Sequence, residues 1–213
     1  MQHPDPAAGT TEASPGPDHH WVRDVVFDPV VNTLVLMLAV SLLSWTTGDR
    51  YTLIHLVLAP PVDVRPYTIV TSIYNHANTA HLTSNAVIVF IFGLLVSRAS
   101  SWLRFHLFFI ATGVIAGIVQ IQISNSGDPF EITYLLGASG AAFGLVGYVL
   151  SANLIADTIL SFLPTRIVAP ALAIVALYVA HRYSPPGTAL AAHATGLLIG
   201  LAAGRFHLLR ARS

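Results

Sequence analysis

Apolar residues gather into six long runs along the chain, separated by short polar or charged stretches. The runs cover residues 29–45, 78–97, 103–123, 138–156, 167–183 and 188–208. Each is near or above the ~17 residues that a helix needs to cross the hydrocarbon of a bilayer. The pattern predicts an all-α membrane protein, a bundle of six transmembrane helices. Asn78 or Thr79 is a natural N-cap for the second run, and Pro185-Pro186-Gly187 breaks the chain before the sixth.

Two stretches depart from this rhythm. The connection over residues 46–77 is too apolar for a solvated loop, with Leu53, Ile54, Leu56, Val57 and Leu58 ahead of Pro60-Pro61. Asp49, Arg50, Asp63 and Arg65 bracket only a short apolar core, so it reads as a partly embedded first external loop with short helical pieces. Residues 1–24 are rich in Pro, Gly, Thr, Asp and Glu, and they read as a disordered cytoplasmic tail. The membrane domain then spans residues 25–213. The tail lacks the basic start, apolar core and small-residue cleavage site of a secretory signal, and His19-His20 reads as a solvated pair.

Composition supports the membrane reading. The chain is 54% hydrophobic and 9% charged, against about 25% charged in soluble domains. Lysine is absent, arginine supplies all ten basic residues and the formal net charge is zero, which gives no electrostatic case for nucleic acid. Cysteine is absent too, so disulfides, thiolate zinc sites and cysteine nucleophiles are excluded.

Arginine placement sets an orientation. With six spans, one side holds Arg23, Arg98, Arg104, Arg166, Arg205, Arg210 and Arg212, and the other holds Arg50, Arg65 and Arg182. The positive-inside rule then puts both termini in the cytoplasm, the cell membrane being the expected location. Runs two, four and six all start on the external side.

That topology brings the intramembrane polar residues to one depth. His81 and Asn85 lie in the first two turns of run two and Ser139 opens run four. His193 stands about five residues into run six, roughly 8 Å deep at 1.5 Å per residue. Glycines recur every four residues at Gly196, Gly200 and Gly204, and Gly140, Gly144 and Gly147 line run four. Such faces let helix backbones approach closely. Packed in parallel, the two helices would bring Ser139 to His193.

A lone serine hydroxyl is a weak nucleophile near neutral pH and needs a base; a neutral imidazole can take its proton and return it to a leaving amine. Asp128 and Glu131 are the only carboxylates near this end and both lie in the preceding loop, which favours a Ser-His dyad over a triad. His81 and Asn85, four residues apart, share a helix face and can donate to one oxyanion, with the Ser139 N–H as a third donor. The sequence leaves the role of His76 open, ordering of the loop being one reading. Zinc held by His76 and His81 is a poor alternative, since five residues turn about 140° on a helix. His55, His106, His181 and His207 receive no role.

Three motifs together, His76-x4-His81-x3-Asn85, Gly137-x-Ser139-Gly140 and Ala192-His193-x2-Gly196-x3-Gly200, resemble the rhomboid family of intramembrane serine proteases. The resemblance covers roughly residues 27–208. It implies Ser139 as nucleophile, His193 as base, His81 and Asn85 at the oxyanion, and Phe143 as an aromatic beside the histidine. It also implies cleavage of single-pass transmembrane proteins near the external membrane face, without metal, nucleotide or other cofactor. One departure stands in the external loop, where the family's Trp-Arg pair corresponds to Val64-Arg65, followed by Pro66. The alternative is a catalytically silent rhomboid-like scaffold that binds membrane helices; such proteins typically lack the serine or the histidine, and both are present here.

Overall fold

The computed structural model describes residues 26–124, 134–153, 158, 164–183 and 188–211. The expected tail lies outside them. Eight helices are formed among the described residues. Helix α1, Pro29–Thr47, opens on Asp28, whose carboxylate accepts from the Val30 and Val31 N–H groups at 2.8 and 2.9 Å, and Pro29 occupies a first-turn position with no N–H to satisfy. It ends at Gly48, whose φ of 57° is a left-handed cap.

The apolar connection folds as two short helices, α2 (Arg50–Leu56) and α3 (Thr68–Tyr74). Then follow α4 (Thr79–Ser97), capped by Asn78 on the His81 N–H at 2.9 Å, and α5 (Trp102–Ser124). The second half holds α6 (Ser139–Ser151), α7 (Thr165–Tyr183, with Pro170 inside) and α8 (Leu190–Arg205).

Three of these, α1, α4 and α5, are long and apolar enough to cross a membrane. Their outward residues, including Leu36, Leu38, Phe90, Leu95, Leu107 and Ile115, are exposed leucines, isoleucines and phenylalanines, a surface suited to hydrocarbon rather than water. Helix α6 is the opposite case. It has 13 residues, and Gly140, Ala141, Ala142, Phe143, Gly144 and Leu145 are all buried. It is the central post of the bundle, shorter than the run over residues 138–156 predicts. Asn153 explains the early stop, because its amide donates to the Val149 and Leu150 carbonyls and closes the last turn.

Small residues fix how α6 and α8 meet. A Cβ on Gly196 would fall on the Gly140 carbonyl, one on Gly200 on the Gly144 carbonyl, and one on Gly204 on the Tyr148 carbonyl and Ser151 hydroxyl. The register advances in step on both helices, so they run in parallel at backbone contact. Ser151 adds a bond across the seam, its hydroxyl donating to the Leu201 carbonyl at 2.6 Å. On its other side α6 meets α5, where Gly140 faces Ala116 and Gly144 faces Thr112.

The helix ends sort into two groups. The N-terminal ends of α4, α6 and α8 lie together, since Gly137 abuts His81 and Gly140 abuts Ala192. At the other end the Ala211 N–H donates to the Ala99 carbonyl at 2.8 Å, and Arg104 donates to the Arg210 carbonyl. Arg98, Arg104, Arg205 and Arg210 therefore share one end of the bundle.

Candidate active site

The segment leading into Ser139 is held by main-chain bonds to the connection over residues 46–77. Leu58 and Leu135 exchange N–H···O bonds at 2.9 Å in both directions, and the Gly137 N–H donates to the Ser72 carbonyl at 2.8 Å. Gly137 has a φ of 115° and its Cα faces the His81 ring, where a Cβ would come within 2.7 Å of Cε1. Both the backbone angle and the ring demand glycine there.

His76 completes this anchorage. Its Nε2 accepts the Ala138 N–H at 3.3 Å, its Nδ1 lies 3.1 Å from the Ser41 hydroxyl, and that hydroxyl lies 3.3 Å from the Tyr74 carbonyl. One proton arrangement satisfies all three: Nδ1–H donates to Ser41, and Ser41 donates to Tyr74. Burial, with the adjacent His81 ring as a second cause, pushes the imidazole down to about 4, and a neutral ring is what the Ala138 N–H requires. Trp45 Nε1 donates to the His76 carbonyl at 2.8 Å. Both ring nitrogens of His76 thus serve protein partners, which leaves none for a metal.

His81 stands edge-on to His76, with ring centroids 5.1 Å apart. Asn85 is buried one turn below, and its amide donates to the His81 carbonyl at 2.9 Å. That uses one of its two amide hydrogens.

Ser139 is the first residue of α6 and His193 the fourth of α8. Gly140 is level with Gly196, so Ser139 is level with residue 195, an axial offset from His193 of about 3 Å. The His193 ring is buried and stacks on Phe143, centroids 4.5 Å apart and planes 10° from parallel. Phe143 lies one turn after Ser139 on the same helix. A cleft with room for about one water molecule opens beside Ser139, lined by Ser72, Ile73, Gly137, Gly140 and Ala192. Ser139, His193, His81 and Asn85 thus gather at one end of the bundle, with Gly137 and Phe143 between them.

A family model, the Rhomboid domain, matches residues 64–210. The chain belongs to the rhomboid family. Over 79 residues it is 37% identical to Rhomboid-like protein 11, chloroplastic, of Arabidopsis thaliana. That match takes in 37% of this chain and 26% of the Arabidopsis protein, so the likeness spans about a quarter of that relative. Family membership and the apolar helices make this rhomboid an integral, multi-pass membrane protein.

Several site residues were not found by reading the sequence. Ser41, Trp45 and Gln120 each sit in an apolar run, and the first two are one turn apart on α1. A polar pair at helical spacing in such a run is a signal, though it does not say what it meets. Leu58 gave no signal at all, because its contribution is main-chain pairing. The Val64-Arg65 departure has a local answer: Val64 is exposed, and the loop is held instead by Leu58, by Thr71 donating to the His55 carbonyl and by Asn75 donating to the Leu56 carbonyl.

Proposed function

We propose that this rhomboid is an intramembrane serine endopeptidase that cleaves single-pass transmembrane proteins near the external membrane face. The observation that carries the proposal is the parallel, glycine-lined contact of α6 and α8, which sets Ser139 and His193 about 3 Å apart along the axis. The Ser139 hydroxyl attacks the scissile carbonyl carbon while His193 takes its proton. The carbonyl oxygen becomes an oxyanion, met by Asn85, His81 and the Ser139 N–H, which opens a helix and has no intrahelical partner. Collapse breaks the C–N bond, and His193 returns the proton to the leaving amine. Water, activated by the same imidazole, then attacks the acyl ester and regenerates the serine.

The proposed topology has six spans with both termini in the cytoplasm. Clustering of Arg98, Arg104, Arg205 and Arg210 at the end opposite Ser139 favours it. A reporter fused after Ser213 should read as internal and one inserted at Asp128 as external. The membrane is proposed to be the cell membrane.

Purified protein in lipid vesicles, incubated with a single-pass substrate bearing small residues in its external half, tests the activity. The parent cleaves it and Ser139→Ala does not. Intact substrate with the parent across a panel of such segments would favour the scaffold reading instead.

A further inference from the structure

Helix α8, which carries His193, begins without a cap of its own: Ala189 offers no side-chain acceptor. The first N–H groups of a helix have no intrahelical partners, and here the Ala192 residue is buried. Its N–H is met from another helix. Gln120, near the C-terminal end of α5, accepts it through Oε1 at 3.1 Å, and Gln120 Nε2 donates to the Ser124 hydroxyl at 2.9 Å. The second bond orients the amide so that its oxygen faces α8.

The bonded N–H belongs to the residue before His193, and the His193 N–H makes an intrahelical bond to Ala189 at 3.1 Å. The glycine seam fixes the lateral approach of α8 to α6. Apolar packing is non-directional, so the seam alone holds the first turn of α8 less firmly against sliding or unwinding. A directed bond at Ala192 does hold it. We propose that Gln120 is a positioning residue for His193, acting as a cap supplied by α5 to the helix of the base. This rests on the protease reading above.

The test compares the parent with Gln120→Leu, Gln120→Glu and Ser139→Ala in lipid vesicles. Gln120→Leu removes the acceptor at similar volume, and a displacement near 1 Å at a reacting group can cost on the order of 10²-fold in rate. The expected result is a kcat lowered by about tenfold to a hundredfold with KM little changed. Gln120→Glu restores an oxygen acceptor at a helix N-terminus and should recover most of that loss. Hydrogen exchange at the amides of residues 191–193 should quicken in Gln120→Leu and return toward the parent in Gln120→Glu. That readout is independent of turnover, so it stands if the parent proves inactive or Ser139→Ala keeps activity, outcomes that would overturn the protease reading rather than the cap. Unchanged exchange in Gln120→Leu would overturn the cap. Equal loss in the Leu and Glu variants, or a raised KM at constant kcat, would overturn the positioning role.

Discussion

Phe143 and His193 stack face to face, ring centroids 4.5 Å apart and planes 10° from parallel. Phe143 is one turn from Ser139 on α6, so the helix that carries Ser139 also supplies the floor on which the imidazole rests. The contact sets the plane of the ring, where the glycine seam sets only its distance. Phe143→Leu keeps most of the apolar volume and removes the aromatic face, an interaction worth about 0.5–1.5 kcal/mol. Its cleavage rate should fall while thermal stability changes little. Phe143→Ala leaves a cavity and should also lower stability, by about 3–5 kcal/mol. Rates and unfolding midpoints in the same detergent separate the two effects.

Gly196 sits where the two helices touch. Even the methyl of Gly196→Ala would fall on the Gly140 carbonyl, which is backbone and cannot swing aside. Both Gly196→Ala and Gly196→Leu should insert into membranes yet lose most activity and melt earlier, with overpacking costing ~1–3 kcal/mol or more. Leu197 is fully buried beside Phe143 and Leu201, so Leu197→Ala should also destabilise, by about 2–5 kcal/mol. It should nevertheless keep more activity than Gly196→Leu at a temperature where both are folded, because it opens space rather than driving α6 and α8 apart. Full activity in Gly196→Leu would contradict the seam.

His76 links protonation to stability. Its folded value is near 4 against an ordinary 6.5, so the folded protein resists a proton that the unfolded chain accepts. The His76 contribution is complete above about pH 6.5 and is lost as pH falls toward 4. His76→Gln keeps an oxygen for the Ala138 N–H and cannot titrate. The unfolding midpoint of the parent should drop across that window, and the variant should show a shallower drop. Equal slopes would remove His76 from the account.

Asn85 has one amide hydrogen engaged with the His81 carbonyl and one left to donate. Removing an oxyanion donor typically costs about 10²–10³ in kcat, so Asn85→Ala should slow turnover by that order with KM little changed. A raised KM with unchanged kcat would assign Asn85 to substrate binding.

How much of this was legible in the sequence follows from the physics of each feature. Helices α1, α4 and α5 face hydrocarbon with leucine, isoleucine and phenylalanine, and composition alone reveals them. The α6 to α8 seam was legible because glycines at four-residue spacing point one way on a helix. The end of α6 was not, since Ala152, Leu154, Ile155 and Ala156 continue the apolar run and only Asn153 marks the stop. Contacts joining distant parts of the chain were hidden as well. Nothing local ties Gln120 to Ala192, Ser41 to His76 or Leu58 to Leu135; the fold itself creates those pairs.

The central claim is that Ser139 is a nucleophile activated by His193. Covalent labelling by a fluorophosphonate, located by peptide mass mapping in vesicle-embedded protein, tests it most directly. The account predicts an adduct on Ser139 in the parent, none in Ser139→Ala, and strongly slowed labelling in His193→Ala with the fold retained. An adduct on another serine, or undiminished labelling of Ser139 without His193, would contradict it.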